Sequence, residues 1–366
     1  MQVLSETHNQ IAFVTLNRPA ALNALSMDMI VQLRDTLGGH AADPEVRAVL
    51  VKGAGDKAFC AGGDIRALYE SVKESGSLHR NFLIAEYPLD YFLYSYPKPY
   101  VVLMDGITMG GGMGIAQGSR LRIVGDRTRI AMPEVAIGFF PDVGGSYFLS
   151  RLPGALGIYL ALTGVQIRAA DALYSQLADV YLPPAAIASL GEDLAALNWS
   201  ADPSADLRQF IDARAAQGLP APHLSVLRPA IDQHFSHSTV RAILASLEAE
   251  TRSDYAAWAE QTVKLLRSRS PTMLGATLRQ LQRGKDMSLA ACFRMELDMA
   301  QQCFEQGDFL EGVRALIIDK DNSPHWTPNR VEDVTDAMID VLFQNRWTAA
   351  THPLAKLETM GSPLCS

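Results

Sequence analysis

The stretch YVVLMDGITMGGGMGIAQG, residues 100–118, runs from an apolar, β-branched segment through a glycine cluster into a helical pattern. Tyr100–Met104 reads as a buried strand. Glycines at 110, 111, 112 and 114 let backbone approach where a side chain would block it. A strand that ends in such a turn and opens a helix belongs to an α/β fold, and its turn presents unpaired N–H groups. Two readings of the turn stand side by side: a tight helix contact, or an oxyanion hole whose amides face an oxygen that gains charge. A nucleotide site is a weaker reading. TMGGGMG lacks the Gly-Lys-Ser/Thr of a phosphate loop, and Asp126 and Glu134 sit awkwardly for a ribose-binding acid.

The same alternation continues on both sides. Ile11–Leu16 and residues 48–51 read as buried strands, as does Leu121–Val124. Between the first two, Ser26 caps a helix with an apolar face of Met29, Ile30, Leu33 and Leu37, and Gly38-Gly39 with Asp43-Pro44 punctuate its end. Beyond about residue 190 strand-like runs thin out and helical patterns dominate, as over residues 240–268. The loop at 198–203, rich in proline and polar residues, marks a seam between an α/β core (1–195) and a mainly helical region (196–366) that packs on it. One mixed patch, residues 307–326, holds a strand-like run at 315–318.

Two further segments carry candidate chemistry. KAFCAGGDIRALYE (57–70) is a second strand-to-helix turn. Its glycines bring backbone N–H groups close to a ligand, or Asp64 simply caps the helix. MPEVAIGFFPDVGGSYF (132–148) holds Glu134 and Asp142, the only carboxylates between Arg127 and Ala170, in apolar company. A buried, unpaired carboxylate is costly and its pKa rises, so acid–base or nucleophilic work would account for both. A strand exit after Pro133 and a turn at Asp142 are the plainer alternatives.

Composition narrows the function classes. With 366 residues, 48% hydrophobic and 20% charged, the chain can bury an ordinary globular core. A formal charge of −8 argues against nucleic-acid and anionic-membrane partners, and no apolar run approaches the roughly 20 residues of a membrane span. The cysteines Cys60, Cys292, Cys303 and Cys365 lack metal-ligand spacing and exclude a disulfide scaffold, which suits a reducing cytoplasm. The opening MQVLSETHNQ shows no export or organelle pattern. His234 and His237 read as surface residues, Cys60 as a packing residue, and there is no Gly-x-Ser-x-Gly elbow.

In this order and at these spacings, LNRPAALNAL (16–25), KAFCAGGDI (57–65), GITMGGGMG (106–114) and AMPEVAIGFFPDVGGSYFLSRLPG (131–154) resemble the crotonase (enoyl-CoA hydratase/isomerase) superfamily. The last of these, with PTMLGATLRQL (271–281) and DFLEGVRALIIDKDNSPHW (308–326), is similar to the 3-hydroxyisobutyryl-CoA hydrolase branch. The resemblance implies an α/β, crotonase-like (ClpP/crotonase) spiral of ββα units followed by a mainly helical C-terminal region. It implies hydrolysis of a short β-hydroxyacyl-CoA thioester, in valine breakdown. The backbone N–H groups of Gly63 and Gly111 would form the oxyanion hole, Glu134 would be the main catalytic carboxylate, and Asp142 would bind the substrate hydroxyl or steer protons. Glu86, Gly62, Asp64, Ala61, Leu22, Ala24 and Gly110 would contribute to the acyl and CoA sites. No cofactor or metal is implied, since CoA enters as part of the substrate, and a homo-oligomer is compatible with the superfamily.

One departure separates the branches. Hydratases of the superfamily carry a glutamate three residues after the oxyanion glycine, where this chain has Gly114. That disfavours hydratase activity and leaves Glu134 and Asp142 as the only local pair. An enoyl-CoA hydratase or isomerase and a non-catalytic acyl-CoA-binding protein are the competing readings.

Overall fold

The computed structural model describes residues 1–216 and 218–359; Cys365 lies outside them. Strands β1 (Val3–His8) and β2 (Ile11–Leu16) pair antiparallel through a tight turn in which Asn9 and Gln10 both adopt left-handed backbone. Helix α1 (Met27–Ala42) starts where the Ser26 side chain accepts the Met29 N–H, and it buries Met29, Ile30, Leu33 and Leu37. The helix runs through Gly38-Gly39 and ends only at Asp43. Glycine inside a helix costs about 1 kcal/mol, a penalty that the packed apolar face outweighs.

The chain then repeats one unit. Strands β3 (Ala48–Gly53), β5 (Tyr100–Met104) and β7 (Leu121–Val124) extend the first sheet in parallel, and β9 (Val180–Tyr181) closes its far edge, giving the order β1-β2-β3-β5-β7-β9. The strand after each of the first three goes elsewhere. β4 (Ala58–Cys60), β6 (Ile107–Met109) and β8 (Arg129–Ala131) form a second, three-stranded parallel sheet in the order β4-β6-β8. Helices α2 (Ile65–Lys73) and α3 (Leu78–Tyr94) follow β4, α4 (Gly111–Gln117) follows β6, and a 3₁₀ turn, Glu134–Ile137, follows β8. Each unit therefore advances one strand in both sheets, and this is the ββα spiral that the resemblance implies. Every residue of β5 is buried, as strands covered on both faces require.

Beyond the spiral come α5 (Gly145–Phe148), α6 (Leu156–Thr163), α7 (Ala169–Tyr174), α8 (Pro184–Ala195) and α9 (Pro203–Asp212). Leu190 and Leu194 of α8 and Leu207 and Ile211 of α9 pack with Phe13, Leu50, Val101 and Ile123 in one apolar cluster. The loop at 198–202 thus joins two helices that pack against the same strands. The remaining helices are α10 (His223–His234), α11 (Val240–Glu248), α12 (Ala256–Arg267), α13 (Pro271–Gly284), α14 (Leu289–Gln306), α15 (Phe309–Val313) and α16 (Asp336–Leu342). They share the main core with the spiral: α13 lies on α5 and α6, α14 on α3 and α5, and α15 on α2.

Three local expectations need correction. The run at 315–318 is not a strand. Arg314–Ile318 continues α15 as a π-helical turn that satisfies its own backbone, with the Asp319 N–H on the Arg314 carbonyl. The helical pattern over 240–268 is two helices, broken at 249–255. His234 is fully buried rather than on the surface. Its ring nitrogens lie 2.7 Å from Ser246 Oγ and 2.8 Å from Glu250 Oε2, partners that make the burial tolerable, while His237 is half-buried.

Candidate active site

Three equivalent turns meet at the C-terminal ends of the small sheet. The turn after β4 supplies Ala61, Gly62 and Gly63; the turn after β6 supplies Gly110 and Gly111; the turn after β8 supplies Glu134. Gly62 (φ +104°) and Gly110 (φ +49°) hold backbone that side chains rarely adopt. They also let the turns touch. A Cβ on Gly62 would stand 3.2 Å from the Met109 carbonyl and 3.6 Å from Gly111 N, and one on Gly111 would stand 3.5 Å from Gly63 N.

Neither amide is used by the backbone pairing around it. In the parallel bridge between Leu25 and Gly63, the Leu25 N–H bonds the Gly62 carbonyl and the Asp64 N–H bonds the Leu25 carbonyl, so the Gly63 N–H points away from the bridge. Gly111 is the first residue of α4, where an N–H has no acceptor within the helix.

Three carboxyls line the same cavity of roughly 330 Å³ as these amides. Glu134 is buried, with Oε1 3.2 Å from where a Cβ on Gly110 would lie and Oε2 without a hydrogen-bond partner among the described residues. Glu86 projects from α3, and its equally unpartnered Oε1 would be 2.4 Å from a Cβ on Gly111. Asp142 sits between Pro141 and α5 and accepts the Tyr87 hydroxyl at 2.7 Å. Burial pushes the Glu134 and Glu86 carboxyls well above the usual carboxylate range, with a further push from Asp142 nearby. Burial also lifts Asp142, to about 6, against the pull of the Tyr87 hydrogen bond. The rest of the wall is apolar, with Phe139 from the spiral and Phe304, Phe309, Leu316 and Ile317 from the C-terminal region.

Of the residues expected from sequence, Ala61, Gly62, Gly63, Glu86, Gly110, Gly111, Glu134 and Asp142 all line this cavity. Leu22, Ala24 and Asp64 do not; they form the adjoining loop. The Leu22 carbonyl accepts the Ala61 N–H at 3.1 Å, and the Ala24 carbonyl accepts Arg18 Nη1 at 2.6 Å. The Asp64 carboxylate is occupied by the Arg18 guanidinium at 3.0 Å and by capping α2 through the Ala67 N–H. Cys60 is buried and its thiol is pushed up to about 12, so it packs rather than attacks.

Glu134 and Asp142 are not the only local carboxyl pair. One turn beyond Glu86 on α3, Asp90 is fully buried with neither oxygen partnered among the described residues. A Cβ on Gly114 would stand 2.7 Å from Asp90 Oδ2 and 2.8 Å from Val143 Cβ, so Gly114 is the residue that gives Asp90 its room. Glu296 of α14 is also fully buried and reaches the loop after Asp142. The signal for both was in the sequence: acids inside the apolar helical runs FLIAEYPLDYFLY and CFRMELDMA.

Comparison with known proteins fits this architecture. The family described as enoyl-CoA hydratase/isomerase matches residues 11–343. A Xenopus tropicalis protein named "3-hydroxyisobutyryl-CoA hydrolase, mitochondrial" is 44% identical over 336 residues, covering 90% of this chain and 85% of the relative. The crystal structure of a carnitinyl-CoA dehydratase from Mycobacterium thermoresistibile superposes with a TM-score of 0.86 at 38% identity, covering 94% of this chain and 96% of that one. That of an enoyl-CoA hydratase from Rhodobacter sphaeroides superposes with a TM-score of 0.84 at 36% identity, covering 94% and 98%. The similarity to these relatives extends along nearly the whole chain, helical C-terminal region included. The chain belongs to the enoyl-CoA hydratase/isomerase family.

Proposed function

We propose that this chain hydrolyses 3-hydroxyisobutyryl-CoA to 3-hydroxyisobutyrate and CoA. The observation that carries the reading is a buried Glu134 lining the same small cavity as Gly63 and Gly111. The hydrolase named for the frog relative supplies the substrate. The thioester oxygen sits between the two amides, which stabilise the charge it gains on attack; one such donor is typically worth roughly 2.7–4 kcal/mol in the transition state.

Glu134 serves in one of two ways. It attacks the carbonyl carbon, expelling the CoA thiolate and leaving a mixed anhydride that water opens. Alternatively it takes a proton from the water that attacks. Single-turnover hydrolysis in heavy-oxygen water separates them, because only the anhydride route can carry label into the Glu134 carboxyl. Asp142 accepts the substrate's β-hydroxyl, and the aromatic wall limits the acyl group.

The hydratase and dehydratase titles of the two solved structures favour a second reading, in which water crosses a carbon–carbon double bond. The crowding at Gly114 speaks against it, since Asp90 and Val143 leave no room there for a second catalytic side chain. Thiol release from a panel of short acyl-CoAs, with Glu134→Gln as control, decides the matter. Loss of the crotonyl-CoA ultraviolet band without thiol release would overturn the hydrolase reading.

For location, no described helix is long and apolar enough to cross a membrane. The described cysteines are buried and free. They suit the reducing cytoplasm expected from the sequence, and equally the mitochondrion in the frog relative's name.

A further inference from the structure

We propose that Glu296, a buried carboxylate of the C-terminal region outside the cavity wall, is a positioning residue that holds Asp142 in place for recognition of the substrate hydroxyl. The loop that carries Asp142 is strained. Val143 adopts left-handed backbone (φ +52°), a genuine outlier for a β-branched residue, and Gly144 follows at φ +85°. Such a conformation persists only where the surroundings over-determine it.

Glu296 supplies that determination. Its Oε2 accepts the Gly144 N–H and its Oε1 accepts the Ser146 N–H, each at 2.8 Å, so one carboxylate spans the start of α5. Gln280 of α13 completes the clasp, its Nε2 donating to the Pro141 carbonyl at 2.6 Å and to Ser146 Oγ at 2.8 Å. The clasp brackets the strained residue on both sides, at 141 and at 144 and 146. Inside the bracket, Asp142 and Val143 are the two residues that face the cavity. If the bracket is released, Val143 relaxes by rotating its flanking peptides, and the Asp142 carboxyl turns away from Tyr87 and from the cavity. Neither oxygen of Glu296 is free to bind substrate, so its effect passes through the loop.

The inference rests on the hydrolase reading, for its assay and for Asp142 as acceptor of the substrate hydroxyl. Thiol release is measured for 3-hydroxyisobutyryl-CoA and for isobutyryl-CoA, which lacks the hydroxyl, with wild type, Glu296→Gln and Glu296→Asp. Gln keeps the volume but turns an NH₂ toward one of the loop amides; Asp keeps the carboxyl but reaches only one of them. In both variants the ratio of kcat/KM for the hydroxylated over the plain substrate falls at least ten-fold, while isobutyryl-CoA turnover stays within about three-fold. A crystal structure of either variant shows Val143 out of the left-handed region. A parallel fall for both substrates, or an unchanged ratio, overturns the inference, as does a Glu296→Asp enzyme with the wild-type ratio when Glu296→Gln fails to fold. Failure of the hydrolase reading appears separately, as absent thiol release in wild type; the Val143 backbone in the variant crystals then decides on the clasp.

Discussion

The Asp90 carboxyl fills the space beside Gly114, where a Cβ would come within 2.7 Å of Asp90 Oδ2. The two residues come from different elements, α3 and α4, and each is explicable only through the other. A side chain at 114 is excluded by Asp90, and Asp90 is accommodated because 114 is glycine.

Gly114→Ala will therefore destabilise the fold by about 1–3 kcal/mol, the usual cost of overpacking a filled interior. Asp90→Ala in the same chain will recover part of that loss, leaving the clash with Val143. The check is a double-mutant cycle from urea melts; strictly additive losses would show that the two groups do not compete for the space.

Asp90 lacks any donor among the described residues, and burial with the nearby Glu86, Asp142 and Glu296 charges drives its carboxyl well above the usual aspartate value of 3.8. Between that value and its folded pKa, the native state holds a proton that the unfolded chain has lost. Stability then falls as pH rises, by about 1.4 kcal/mol per pH unit for one such group. Asp90→Asn, isosteric with the neutral acid, removes this contribution. Urea melts at pH 5 and pH 8 should show a smaller loss in the variant than in wild type, and equal losses would refute an Asp90 held neutral.

Glu134→Gln will lower thiol release by roughly 10²–10⁴ with KM within a few-fold, the scale of a lost base or nucleophile in a preserved cavity. Gly111→Ala will act through a different route, because its Cβ would stand 2.4 Å from Glu86 Oε1 and force the turn aside. Displacing one oxyanion donor should cost about 10²–10³ in kcat. As a comparison, Gly39→Ala on the exposed side of α1, with nothing within 4 Å, should leave turnover intact and stabilise by about 0.5–1 kcal/mol.

Tyr87→Phe removes the one side-chain hydrogen bond that favours ionised Asp142, whose carboxyl burial has already lifted to about 6. The sign follows directly. In the proposed role the ionised form accepts the substrate hydroxyl, and that form is lost as pH falls through about 6 in wild type. It will be lost at a higher pH in the variant. The acid limb of kcat/KM for 3-hydroxyisobutyryl-CoA moves upward accordingly, and an unmoved limb would mean that Asp142 does not govern it.

Much of this was legible in the sequence because the chemistry and the fold use the same residues. The runs at 11–16, 100–104 and 121–124 are strands with those bounds, since strands covered on both faces are mostly apolar. Glycines 62, 110 and 111 advertise themselves because two of them hold left-handed backbone and a Cβ on the third would collide with Glu86. Glu134 and Asp142 line the cavity as their apolar settings suggested, and Glu86 does so as the resemblance implied. What escaped notice depends on distant partners. Asp90 and Glu296 show in the sequence only as acids within apolar helical runs, and what they touch is set by how α3 and α14 pack around the Asp142 loop, just as the burial of His234 depends on Glu250, sixteen residues away. The strand-like 315–318 misled because a β-branched run can also cap a cavity as an irregular helical turn.

The pairing of β4, β6 and β8 has a consequence for how this site tolerates change. The heights of the three turns relative to one another follow from which residues pair, as Thr108 does with Cys60 on one side and Ile130 on the other. Strand positions are discrete, so a one-residue slip of any of the three strands would reverse its faces and move its turn against the other two. Catalytic geometry is in this sense digital: loops away from the three turns can change length without altering the pairing, whereas a residue added within a strand either shifts its turn or is taken up as a bulge, as between Ala58 and Cys60.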